Sequence, residues 1–188
     1  MAVVLIFCIA LLSTPLAATT VQRFSLAGLT ANAERIVVGT CSKSEPRLIH
    51  GQIYTRYLFN VDTSIKGPAA DQLELHLPGG HLQGVFTRIA GMPIFTPGDE
   101  VVLFLSAENS LGHAWPVGLT QGRFSILRHE PDQPLVTQTI DDISLYTNPN
   151  SAKRVPLDLP AQGMPLDRFL AKVRTITQDE NRGPQDAH

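Results

Sequence analysis

The residues whose types and spacing most invite chemistry are His76 and His81, which flank Pro78-Gly79-Gly80. Glycine takes positive φ at little cost and proline presets a corner, so this run reads as a strand ending in a sharp change of direction. Such a turn can bring side chains five positions apart to one ion, and imidazole suits Zn or Cu. His76 and His81 are therefore the candidate metal ligands, with Zn as the candidate ion, and the sequence implies no other cofactor. The competing reading is a solvated pair. His76 falls on the polar side of an alternating strand, and neither HExxH nor paired CxxC spacing is present.

A second candidate surface lies just downstream. Phe86, Ile89, Met92, Ile94 and Phe95 sit in a long loop punctuated by Gly84, Gly91 and Pro93, closing on Pro97-Gly98. A loop of this length between core strands is either functional or a covering flap. Its five apolar side chains either pack down on the sheet or form a surface for a partner.

Other chemistries find no motif. The chain has no GxSxG elbow, no SxxK pair and no Walker or dinucleotide glycine fingerprint, so no catalytic residue is assigned. Asp99-Glu100 and Asp141-Asp142 read as solvated caps beside turns. Trp115 reads as a core or rim residue rather than a ligand platform. Cys41 reads as a buried, inert thiol, since a reactive one would need an electropositive setting.

The elements that must position these residues follow from periodicity. Ser25 caps a short helix, and Arg35 to Thr40 makes the first core strand. Lys43 to Gly51 is polar and irregular, a loop or hairpin connection. Gln52 to Ile65 alternates with period two, placing Ile53, Thr55, Tyr57, Phe59, Val61, Thr63 and Ile65 on one face. Leu73, Leu75 and Leu77 continue the pattern into the Pro78 break. Val101 to Leu105 is apolar on both faces. Ala114 to Leu119 and Arg123 to Leu127 read as a hairpin turning at Gly122, with a weak strand at Leu135 to Thr139. Pro165 opens a helix whose stripe is Leu166, Phe169, Leu170, Val173 and Ile176.

These elements describe a mainly β chain with flanking helices. The expected fold is an OB-like antiparallel β-barrel with a short N-terminal helix and an amphipathic C-terminal helix; a β-sandwich is the alternative. In the barrel, Ile53, Tyr57, Phe59, Leu75, Leu103 and Phe124 would face one interior. The organisation is an export signal over residues 1–18, a barrel over 24–140, an extended loop over 141–163, a helix over 164–178 and a flexible tail over 179–188.

The chain's 188 residues suffice for one core without disulfides. The segment 1–18 has an apolar run and a small-residue end but no basic residue before the run. Cleavage near Ala18 would leave Cys41 as the only cysteine, and an uncleaved anchor is the alternative. The formal net charge is −2, and Lys153-Arg154 is the only adjacent basic pair. The linear sequence therefore shows no basic stripe of the kind a nucleic acid or an anionic membrane requires.

Taken in succession, Val37-Val38-Gly39, Ile53-Tyr54-Thr55, Ile65-Lys66-Gly67, Pro78-Gly79-Gly80 with Gly84, Gly91-x-Pro93-x-Phe95-x-x-Gly98-x-Glu100, Leu103-Phe104-Leu105 and Val117-Gly118-Leu119-x-Gln121-Gly122-x-Phe124 form a pattern. The pattern resembles a family of uncharacterised exported bacterial proteins, from Leu26 to Phe169. That resemblance implies an extracytoplasmic address and no chemistry. More distantly, the strand order is similar to netrin-like and tissue-metalloprotease-inhibitor OB barrels, which implies a protein-binding module. Those inhibitors use an N-terminal cysteine on the protease metal; no cysteine lies near Ala18, so inhibition does not carry over.

The expected function is a non-enzymatic protein- or ligand-binding module of the cell envelope, periplasmic or secreted, with another envelope or secreted protein as its partner. A metal-dependent or other hydrolase with a site assembled from loops is one alternative, and a structural secreted protein another. Neither a nucleic-acid partner nor a membrane span after signal cleavage is expected.

Overall fold

A computed structural model describes residues 20–128, 133–138, 144–146 and 163–182. The expected export signal, nearly all of the expected 141–163 loop, Asp141-Asp142 and the last six residues lie outside the described residues. The strands are β1 Thr20–Gln22, β2 Arg35–Ile49, β3 Gln52–Lys66, β4 Gln72–Pro78, β5 Gly80–Leu82, β6 Val85–Thr87, β7 Glu100–Leu105, β8 Arg123–Leu127, β9 Leu135–Thr137, β10 Ser144–Tyr146 and β11 Met164–Pro165. Two helices accompany them, α1 Leu26–Asn32 and α2 Leu166–Arg182. Seven strands form one antiparallel sheet in the order β11-β9-β8-β7-β2-β3-β4; β5 and β6 make a separate two-stranded ribbon, and β1 pairs with β10 in parallel.

The β2–β3 hairpin is the spine. Its ladder runs from Ile36 opposite Lys66 to Ile49 opposite Gln52, with register shifts at Ile36/Val37, Val38/Gly39 and Cys41/Lys43. Each extra residue bends the strand and increases its twist. Gly39 lies where the two backbones come closest: a Cβ there would press into the Asn60 carbonyl and stand 3.2 Å from Val61 Cα. The expected loop at Lys43–Gly51 is instead the outer half of β2. Its polar residues belong to a strand because Glu45 pairs across the ladder with Arg56 and along its own strand with Lys43. The single-face reading of β3 holds from Tyr57 through Val61 and then breaks. Val61 packs against one apolar cluster and, beyond the shifts, Ile65 against the other. A one-residue slip sends a side chain to the opposite face.

That division governs the core. Strand β7 places Val102 and Phe104 on one side and Val101, Leu103 and Leu105 on the other, all buried. The first face meets Leu26, Leu29 and Ala33 beside α1 and Phe169 and Val173 of α2, together with Phe124, Ile126 and Val136. The second holds Val37, Cys41, Tyr57, Phe59, Leu73, Leu75 and Leu77 beneath Met92 and Phe95 of the long loop.

The mainly β architecture with flanking helices is thus as expected, but the described residues form no closed barrel. The main sheet has two ends, β11 and β4, and is covered in layers, closer to the sandwich alternative. Tyr57, Phe59, Leu75 and Leu103 do share one cluster, whereas Phe124 packs beneath the helices and Ile53 is buried in neither. An apolar run pointing both ways is satisfied by helices on one face and a loop on the other, so closure is not required.

Two local expectations also change. Ala114–Leu119 forms no strand; it makes a single bridge, Leu105 to Pro116, and a 3-10 turn over Leu119–Gly122. Pro116 has no N–H to extend a ladder, and Gly118 sits in the left-handed region at φ 61°. Helix α2 continues through Arg182, so residues 179–182 are helical rather than tail. Asp167 in its first turn and Arg182 in its last complement the helix dipole. No helix among the described residues is long and apolar enough to cross a membrane.

Because neither backbone can retreat at Gly39, Gly39→Ala should lower unfolding stability by about 1–3 kcal/mol, the usual range for overpacking. Urea unfolding measures it, and an unchanged midpoint would refute the close approach.

Candidate functional site

The two candidate histidines part company. His76, on β4, has Nε2 2.6 Å from Glu74 Oε1, and its ring stacks on His113 with centroids 4.7 Å apart and planes 8° from parallel. His81, on β5, lies opposite Phe86 in the ribbon and is exposed. The structure therefore brings His76 to Glu74 and His113, a partner that spacing alone could not single out. Stacked rings present faces to one another, whereas a metal is bound by the in-plane nitrogen lone pair. Among the described residues no group of three His, Cys, Asp or Glu side chains could hold a metal ion.

His76, His113 and Glu74 line a cavity of about 780 Å³, with Arg35, Glu108 and Ser106 on its other walls. This volume falls within the range of small-molecule sites. Its polar groups do not assemble a nucleophile. Ser106 Oγ donates to the Ala107 carbonyl at 2.8 Å and accepts the Trp115 N–H at 3.3 Å, so it is committed to its own loop. Trp115 is half-buried at the rim, and its Nε1 donates to the His76 carbonyl at 3.2 Å. It secures that loop to the edge strand, in keeping with a rim role.

The five loop residues divide cleanly. Met92 and Phe95 are buried; Phe95 meets Tyr57 and Phe59 edge-to-face at 5.2 and 5.1 Å, with the Arg123 guanidinium 5.1 Å over its ring. The Thr120 N–H donates to the Gly91 carbonyl and the Gly98 N–H to the Cys41 carbonyl, each at 2.8 Å. This half of the loop is the covering flap. Phe86, Ile89 and Ile94 are exposed, Phe86 by 60%.

Those exposed side chains have neighbours that sequence reasoning missed. The Gly79 N–H donates to the Ile53 carbonyl at 2.8 Å, and Thr55 Oγ1 donates to the Gly79 carbonyl at 2.7 Å. Gly80, at φ 137°, passes so close to Thr55 Oγ1 that a Cβ there would clash with it. These contacts dock the β5–β6 ribbon against the end of the β2–β3 hairpin. Between them runs a groove of about 540 Å³ lined by Leu48, Ile53, Pro78, Leu82, Val85 and Ile89. Leu48 is 64% exposed and Val85 is also exposed. The available signal was the Leu48-Ile49 pair interrupting a polar stretch, with Leu82 and Val85 flanking Gln83-Gly84.

Electrostatics at the base of this end centre on Arg56. Hydrogen bonds from Lys43 and then Arg56 hold the Glu45 carboxyl down at about 2, and Arg56 followed by His76 holds Glu74 at about 2. Burial pushes the Cys41 thiol up, consistent with an inert packing role. In comparisons with known proteins, no family model and no curated protein matches the chain.

Two outcomes follow from these charges. Both carboxyls titrate lower in the folded protein than their ordinary 4.5, so the stability they contribute is complete above that value and is lost as pH falls toward about 2. A Glu45→Gln, Glu74→Gln double variant should show a flatter fall in thermal midpoint across that window, and an identical slope would refute the network. In a Cys8→Ser chain, Cys41 should react with a thiol reagent only after denaturation. Fast labelling of the native protein would contradict its burial.

Proposed function

We propose that the protein is a non-enzymatic binding module of the cell envelope, periplasmic or secreted, and that it engages its partner through the end formed by the two docked hairpins. The observation that carries this reading is exposed Leu48 and Val85 lining one apolar groove, with exposed Phe86 on the other face of the same ribbon, held on backbone contacts rather than on a loose loop. Exposed apolar side chains gathered at one place mark interaction surfaces, whereas scattered ones carry no such meaning. The likeness of the sequence pattern to exported proteins supports the address. The hydrolase alternative has no comparable support: Ser106 is bonded within its own loop, and His76 faces Glu74 and His113 without a nucleophile.

A photoactivatable side chain placed at Phe86 in producing cells should yield covalent adducts that the same group at Leu111 does not. Leu111 is equally exposed but lies in the loop after β7. Absence of adducts at Phe86, or the same pattern at both positions, would overturn the reading in favour of a structural protein.

A further inference from the structure

We propose that the surface met by the two hairpin tips is an anionic lipid bilayer; this rests on the binding-module reading and names its partner. Three observations converge on it. The first is shape. Both tips are two-residue turns with positive φ at each central residue, His50 (48°) and Gly51 (78°) in one, Gln83 (50°) and Gly84 (81°) in the other. That is the tight hairpin geometry, which ends a ribbon abruptly. A Cβ built on Gly51 or Gly84 would meet nothing within 4 Å, so both tips project into open space.

The second is which side chains stand beside the tips. Leu48 precedes one turn and Val85 and Phe86 follow the other, all exposed, with Leu82 and Ile89 between them along the groove. Apolar side chains carried on projecting turns can enter the boundary between headgroups and acyl chains without the body of the protein following.

The third is charge. The two stretches that build this end, 46–53 and 78–89, contain no Asp or Glu, although the chain has 17 such residues and a net charge of −2. They do contain Arg47, Arg88, His50 and His81. Glu45 and Glu74, at the margins, are already met by Lys43, Arg47, Arg56 and His76. An end cleared of carboxylates fits a surface that is negative throughout, with each basic side chain near it adding to the attraction. No basic stripe shows in the linear sequence because the end is assembled from two separate segments.

The test is co-sedimentation of the full chain with vesicles of phosphatidylglycerol and phosphatidylethanolamine, against vesicles of phosphatidylcholine alone. Binding should be at least tenfold stronger to the anionic vesicles. A Leu48→Ser, Phe86→Ser double variant and an Arg47→Glu variant should each weaken it about tenfold. Leu111→Ser should leave it unchanged. All these positions are exposed, so unaltered thermal unfolding will show that the variants fold. Binding that survives both tip variants would belong to another part of the chain and would overturn the proposal. Equal binding to both vesicle types would also overturn it. No vesicle binding, together with a protein adduct at Phe86, would overturn the lipid inference and leave the binding-module reading standing. No vesicle binding and no adduct would remove both.

Discussion

The ladder between β2 and β3 is the interaction on which everything else rests. It pairs two strands of fifteen residues across three register shifts and requires a glycine where their backbones nearly touch. Its inner half supplies the centre of the main sheet. Its outer half, beyond the β2–β7 pairing, extends far enough to carry a free tip. The β5–β6 ribbon has only three residues per strand, and it is held in place by hydrogen bonds to Ile53 and Thr55 of β3. A two-stranded ribbon alone is marginal in water, so its position is borrowed from the longer hairpin. The exposed apolar cluster exists as a cluster only because that docking holds.

The second consequence of the ladder is a sheet loaded on both faces. Helices cover one face and the long loop covers the other, so the loop cannot be wholly a flap or wholly a recognition surface. Its C-terminal half is fixed by Phe95 between Tyr57 and Phe59. That anchoring leaves the N-terminal half, with Phe86 and Ile89, turned outward beside the hairpin tip. The same structural division separates the polar cavity at His76 and His113 from the apolar end. The cavity is tied together by Glu74 and Trp115, while among the described residues Arg35 Nε, one Arg35 terminal nitrogen and His76 Nδ1 are buried without a hydrogen-bond partner. The apolar end leaves Leu48 and Val85 exposed beside its groove.

Much of the architecture was legible from local pattern. Period-two alternation marked β3 and β4, the doubly apolar run marked β7, and the stripe through Phe169 and Val173 marked α2. Ser25 capped α1 as its side chain suggested, accepting the Gly28 N–H. Each of these follows from side-chain direction along one element, which needs no knowledge of any other. The Lys43–Gly51 strand was missed because its polar residues satisfy one another across a ladder, and composition alone reads them as loop. The closed barrel was expected because alternation does not say whether a sheet's second face is covered or wet.

The sequence by itself determined the inner β2 strand, β3, β4, β7, β8 and both helices, where glycine and proline would break them, and which five loop residues were apolar enough to matter. Only the tertiary structure decided which of those five were buried, which histidine His76 would meet, and that Leu48 would stand beside Val85. The reason is physical. Periodicity records how a residue points relative to its own neighbours, whereas register shifts at Val38/Gly39 and Cys41/Lys43 alter which face a distant side chain reaches. Contacts between segments thirty residues apart depend on the sum of those shifts, and no local stretch contains it.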